Sequence, residues 1–212
     1  PLYQTYLQRL TNQVYMIKCN VKVCGIINRA ASVRQTAEGK PFVAFGLSVA
    51  VPATKGDAVN INISVAADNA DVASLAEGRR VAVDGILKIK GAPEKRQYFN
   101  LSAENIDLDP VAESGIGGDM VFRGTLCKDI VTPTDKKGNR FLRFSAYSTD
   151  KVCDEFYSVF VRFVRFSEAM EPFIVPKGKI EAKGELRITS FNGNLDFSCK
   201  IAELTEYKKL PF

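Results

Sequence analysis

The sequence contains no histidine and no tryptophan. Without histidine, Ser-His-Asp and Cys-His nucleophile systems, HExxH metal sites and His-ligated zinc are all excluded. Without tryptophan, any aromatic recognition falls to the 7 Tyr and 14 Phe. Cysteine is scarce. Cys19, Cys24, Cys127, Cys153 and Cys199 are odd in number, scattered, and form no C-x-x-C pair, which suits buried free thiols in a reducing compartment. There is no G-x-x-x-x-G-K-[ST] phosphate loop. No apolar run approaches the roughly 20 residues of a membrane helix, and no secretory leader opens the chain. These absences predict a soluble, cytoplasmic, non-enzymatic protein with no cofactor and no metal.

What is present is a chain of 212 residues, comfortable for two modules of about 100 residues each. Lys and Arg number 29 against 24 Asp and Glu, a net charge of +5 that permits a polyanionic partner without demanding one.

An internal repeat organises the chain. Gly25, Gly39, Phe42, Phe45, Gly85 and Leu87 recur as Gly124, Gly138, Phe141, Phe144, Gly184 and Leu186, each pair 99 residues apart. The repeat divides the chain into an arm (1–15), a first domain (16–109), a linker (110–118) and a second domain (119–212). The linker lies within DPVAESGIGGD, which has the Pro/Gly/Ser composition of a connector. In the arm, Tyr3, Tyr6 and Leu7 have helical spacing.

Each repeat reads as strand, strand, strand, helix, strand, strand. Val59 to Ala66 alternates Ile61, Ile63 and Val65 with Asn60, Asn62 and Ser64. The stretch DNADVASLAEG predicts a short helix capped by Asp68 or Asn69 and ended by Gly78; Ser167 opens its counterpart. Asn192-Gly193 predicts a tight hairpin turn. This order is that of the OB-fold, a five-stranded Greek-key barrel, written twice, so the fold class is all-β with short helices.

Both halves resemble the bacterial single-stranded DNA-binding proteins. The resemblance rests on a first strand ending at Gly25 (Gly124), the turn Glu38-Gly39-Lys40 (Lys137-Gly138-Asn139), a strand opening at Phe42 (Phe141), and the runs EGRRVAVDGILKIK and PKGKIEAKGELRI. It spans about residues 18–108 and 119–206. It implies sequence-independent binding of single-stranded DNA, with RNA as the alternative strand, through stacking on aromatics above a basic groove. It also implies a homodimer with four barrels, working in DNA replication, repair or recombination.

The expected binding residues follow. Residues 16–110 hold four aromatics (Phe42, Phe45, Tyr98, Phe99) and residues 111–212 hold fourteen, so the second barrel is the better stacking platform. The family places aromatics at both ends of a seven-residue stretch of the third strand, which Tyr157 and Phe163 reproduce. Periodicity alone instead puts Tyr157, Val159, Val161 and Phe163 in the core, opposite Ser158, Phe160 and Arg162. If Phe144 and Ala146 face inward, Arg143 and Tyr147 face out. Basic loops add Arg29, Arg34 and Lys40, then Lys128, Lys136, Lys137 and Arg140, then Lys88, Lys90, Lys95 and Arg96 beside Tyr98, with Phe191 on the last hairpin. Family members close in an acidic tip ending Pro-Phe that recruits partners. Here Pro211 and Phe212 follow lysines, and they are the candidate partner-binding pair. The chief rival reading is an oligomerisation scaffold in a replication or mobile-element complex that has lost tight nucleic-acid binding. An OB-fold enzyme or sugar binder ranks below it, for want of histidine and clustered carboxylates.

Overall fold

A computed structural model describes residues 17–152 and 154–208. The expected N-terminal arm, Pro211 and Phe212 lie outside the described residues. Eleven strands form one continuous hydrogen-bonded system. They are β1 (Ile17–Gln35), β2 (Pro41–Val51), β3 (Ala53–Lys55), β4 (Val59–Ala67), β5 (Arg80–Gly91), β6 (Gln97–Asp107), β7 (Gly115–Val131), β8 (Leu142–Val152), β9 (Glu155–Arg165), β10 (Lys179–Phe191) and β11 (Asn194–Glu206).

Two barrels close within this system. β1 pairs with both β2 and β5, and β4 and β6 complete the circuit β1-β2-β4-β6-β5. β7 pairs with both β8 and β10, and β9 and β11 complete the second. In each barrel one pairing is parallel, β4 with β6 and β9 with β11. This is the OB connectivity, twice.

Alternation fills the interiors. Ile17, Cys19, Val21 and Val23 of β1 are buried while Lys18, Asn20 and Lys22 are exposed. The glycine landmarks mark close backbone approaches. A Cβ on Gly25 would lie 2.4 Å from the Ser48 carbonyl oxygen, and one on Gly124 2.3 Å from that of Tyr147. Gly85 and Gly184 meet Ser102 and Lys200 oxygens at 2.1 and 2.0 Å. Only glycine admits the neighbouring strand at these points, and β5 and β10 shift register beside Gly85 and Gly184. Asn192 and Gly193 both adopt positive φ (48° and 78°), as the expected hairpin turn requires.

The expected helices are a correction. The first is only a 3-10 turn, Val72–Ser74, and its cap is Asp71, whose carboxylate accepts from Ala73 N at 3.1 Å, rather than Asp68 or Asn69. Leu75 then plugs the barrel end and is tied to β1, Ala31 N donating to its carbonyl at 3.0 Å. In the second repeat no helix forms among the described residues. Pro172 and Pro176 fall within the segment, where each lacks an N–H and its ring disfavours helical backbone at the preceding residue. Ile174, 99 residues on from Leu75, is the corresponding plug.

The composition-based linker also contains structure. Gly115 to Asp119 belong to β7 and pair antiparallel with β1. Asn20 pairs with Asp119, which is its own counterpart 99 residues on; Lys18↔Val121 and Lys22↔Gly117 exchange across it. The two barrels are therefore related by an approximate two-fold axis through this pair. The axis repeats at the hairpins. β3 of the first barrel adds to β10 at Ser190 and Phe191, and Asn192 N donates to Lys55 O at 3.0 Å. On the other side Gly91 packs so closely on Tyr157 that a Cβ there would come within 2.8 Å of the tyrosine Cβ. Phe99 and Phe197 meet at 6.2 Å between centroids.

Candidate nucleic-acid interface

Outward residues on β8 and β9 form a stacking surface. Strand register sets Tyr147 directly opposite Phe160, and Ser145 opposite Arg162. The Tyr147 and Phe160 rings lie 5.6 Å apart with a 42° tilt, and Phe160 is 60% exposed. Phe166, 67% exposed, lies just past the end of β9, with Phe141 6.1 Å away and the Lys200 ammonium 5.6 Å above its ring. Arg143 stands exposed on the same face of β8, and Arg162 is held by the Asp196 carboxylate. Aromatic faces thus alternate with cations, the arrangement that takes bases and phosphates in turn.

Tyr147 and Arg143 face outward as alternation requires. Phe163 is a correction: it is fully buried, 4.9 Å from Phe122 and 5.2 Å from Phe144 between ring centroids. It shares the inward face of β9 with Val159 and Val161, and the face carrying Arg162 goes to solvent. Tyr157, on the same side of the strand, is half-buried against Gly91 in the seam between the barrels, its hydroxyl donating to Glu155. Neither residue lies on the outward stacking face.

The basic residues disperse over several sites. Arg34 lines a groove of the first barrel, described below. Lys40 pairs with Asp68 at 3.3 Å, and Arg96 pairs with Glu94. Lys95 lies in the Pro93–Lys95 turn, and its side chain is outside the described residues. Tyr98 is 52% exposed opposite Lys90. Lys136 and Lys137 are exposed on a turn organised by Asp135, which accepts from Lys137 N and Asn139 N at 2.8 Å; these bonds hold its carboxyl below the usual range. Arg140 bonds Thr132 at 2.8 Å and Glu168 at 3.3 Å. Phe191 is half-exposed at the hairpin seam, with the Lys55 ammonium 5.8 Å from its centroid.

Sequence reasoning missed Phe160, Phe166, Arg162 and Lys200. The signal for Phe160 was available, because a strand with Val159 and Val161 on one side and Arg162 on the other must expose the arginine's side. Phe166 follows the end of β9 and carried no periodic signal.

The first barrel presents the same face with different chemistry. Asn62 pairs with Ser48 and Ser48 with Ile26, where Phe160 pairs with Tyr147 and Tyr147 with Thr125. A groove of about 370 Å³ crosses this barrel, lined by Arg29, Arg34, Lys88 and Lys90 beside Ser64 and Asn100. None of its lining residues is acidic. The buried thiols offer no chemistry: burial pushes Cys19 and Cys199 up to about 12. Among the described residues, no cluster of three or more Cys, Asp or Glu side chains is placed to hold a metal.

No family model matches the chain, and no curated protein sequence does. Among solved structures, it is similar over nearly its whole length to the single-stranded DNA binding protein from Thermus aquaticus, at 18% identity, covering 92% of this chain and 95% of that one, with a TM-score of 0.44. It is also similar to the small single-stranded DNA-binding protein from Streptomyces coelicolor (27% identity, 44% of this chain and 97% of that one, TM-score 0.33). A third similar structure is the Plasmodium falciparum SSB complex with ssDNA (13% identity, 43% and 95%, TM-score 0.34).

Proposed function

We propose that this protein binds single-stranded DNA without sequence preference. The observation that carries the reading is the outward pair Tyr147–Phe160, with exposed Phe166 past the end of the same strand, among Arg143, Arg162 and Lys200. Every base has a π-face, so stacking tolerates any sequence and contributes about 1–3 kcal/mol per base. The cations neutralise phosphates and release counterions, which makes binding salt-sensitive. Arg162 must exchange Asp196 for a phosphate, which restrains its contribution.

Two barrels per chain, related by an approximate two-fold axis, make a homodimer a four-barrel assembly, whose mass light scattering measures directly. Binding is tested by fluorescence anisotropy with labelled dT and mixed-sequence strands of about 35 nucleotides, against duplex, at low and high salt. Tight, sequence-tolerant, salt-weakened binding to single strands supports the reading. Absence of binding at low salt rejects it.

A further inference from the structure

We infer that the two barrels divide the strand chemically: the second stacks its bases, and the first holds only its sugar–phosphate backbone. The inference rests on the reading of this protein as a single-strand binder.

The strand register shows the division rung by rung. One rung of the first barrel runs Lys18, Lys88, Asn100, Ser64, Gly46, Arg29 across β1, β5, β6, β4, β2 and back to β1. Its counterpart in the second barrel runs Arg187, Ser198, Arg162, Ser145. Both rungs are basic and hydroxylic or amidic, suited to phosphate and sugar oxygens. The next rung separates the barrels. Phe160 and Tyr147 stand where the first barrel has Asn62 and Ser48, and Asn62 accepts a hydrogen bond from Asn28 at 2.6 Å. A base laid on Asn62 and Ser48 finds no ring.

The groove itself has the composition of a backbone site. Arg29, Arg34, Lys88 and Lys90 share its lining with Ser64, Ser102 and Asn100. Lys88 and Lys90 are half-buried on β5, so their positions are set by the sheet rather than by the strand they would meet. The one aromatic in the lining, Phe42, is half-buried, and the exposed Tyr98 lies at the rim opposite Lys90. The two faces adjoin at the seam. Lys90 lies within electrostatic range of Asp150 on β8, and Gly91 packs on Tyr157 of β9. One strand can therefore pass from the basic groove to the aromatic ladder.

The test compares wild type, R29A/K88A and Y147A/F160A on two labelled strands of about 35 nucleotides, one of dT and one with the same backbone carrying a long abasic run. In R29A/K88A the salt exponent is expected to fall by about 1.4, so that between 50 and 200 mM salt it loses about sevenfold less of its affinity than wild type does. The affinity lost at low salt should be the same factor on both strands. R29K/K88R should restore the wild-type slope. Y147A/F160A should lose at least the roughly 5- to 150-fold of a single lost stacking partner on dT, with the salt slope kept, and little on the abasic strand. An unchanged slope in R29A/K88A, or a loss confined to the base-bearing strand, overturns the division while leaving single-strand binding standing. Wild type that binds neither strand overturns the single-strand reading and the division with it. Thermal melting of each variant separates lost binding from lost folding.

Discussion

Phe160 and Phe163 are three residues apart on one strand and should fail in opposite ways. Phe160 is 60% exposed and touches Tyr147 across the sheet. Truncation to alanine removes one exposed aromatic pair, which costs folding about 0.5–1.5 kcal/mol at most. Its effect on binding should be larger, about 1–3 kcal/mol for one lost stacking partner, or roughly 5- to 150-fold in Kd. No cation is removed, so the slope of log K against log salt should not change. Phe163→Ala leaves a cavity where three rings meet, and buried Phe→Ala changes cost about 3–5 kcal/mol. That is a large share of the roughly 5–15 kcal/mol that holds a domain folded. The assay is urea unfolding beside anisotropy on dT at two salt concentrations. Phe160→Ala that unfolds early yet binds normally, or Phe163→Ala that folds normally yet loses binding, would refute the assignment of faces.

Three further outcomes follow from the packing and the charges. Gly184→Ala places a Cβ 2.0 Å from the Lys200 carbonyl oxygen, so it should shift the urea midpoint strongly, whereas Gly117→Ala, with open space around its Cβ, should not. Glu171 is held below its ordinary value of 4.5 by the Arg165 hydrogen bonds; it therefore contributes stability above that value and loses it as pH falls through the lower folded value. Glu171→Gln should flatten the fall in stability below about pH 4.5, read by urea melts at pH 7 and pH 3. Thiol labelling of the native protein should spare Cys19 and Cys199, which become reactive only on unfolding.

The barrels were legible in the sequence because their requirements recur at fixed positions. Gly25, Gly85, Gly124 and Gly184 are glycine for steric reasons that a repeat must preserve, so the 99-residue offset survives divergence elsewhere. In the linker, glycine has two uses. GIGGD looks like a flexible connector, but Gly118 approaches so closely to β1 that a Cβ would sit 2.1 Å from the Asn20 oxygen. Polar starts and apolar spacing point to two helices, but the first shrinks to the turn Val72–Ser74 and the second segment carries prolines at 172 and 176. At the site, alternation placed Phe163 inward and the family resemblance turned it outward, and packing sided with alternation. The groove of the first barrel was half legible: its basic residues were visible as loop charges, but the cross-strand rung that gathers Arg29, Lys88, Asn100 and Ser64 needs the register.

The two faces of each strand answer to different demands, and this is what lets one fold carry two surfaces. Val65 and Phe163 occupy matching inward positions on β4 and β9, and both are apolar and fully buried. Asn62 and Phe160 occupy matching outward positions, where folding accepts either. Divergence on the outward set therefore costs the barrel little and changes what it holds. The pairing of β1 with β7 fixes the two surfaces relative to each other through the Asn20–Asp119 axis, so a strand that spans the chain meets them in a set order. A chain with two identical faces would grip each segment alike. This one carries exposed rings on one barrel and, on the other, a basic groove without an exposed ring on its floor, so under the proposed single-strand binding the salt dependence and the stacking dependence are separable by mutation.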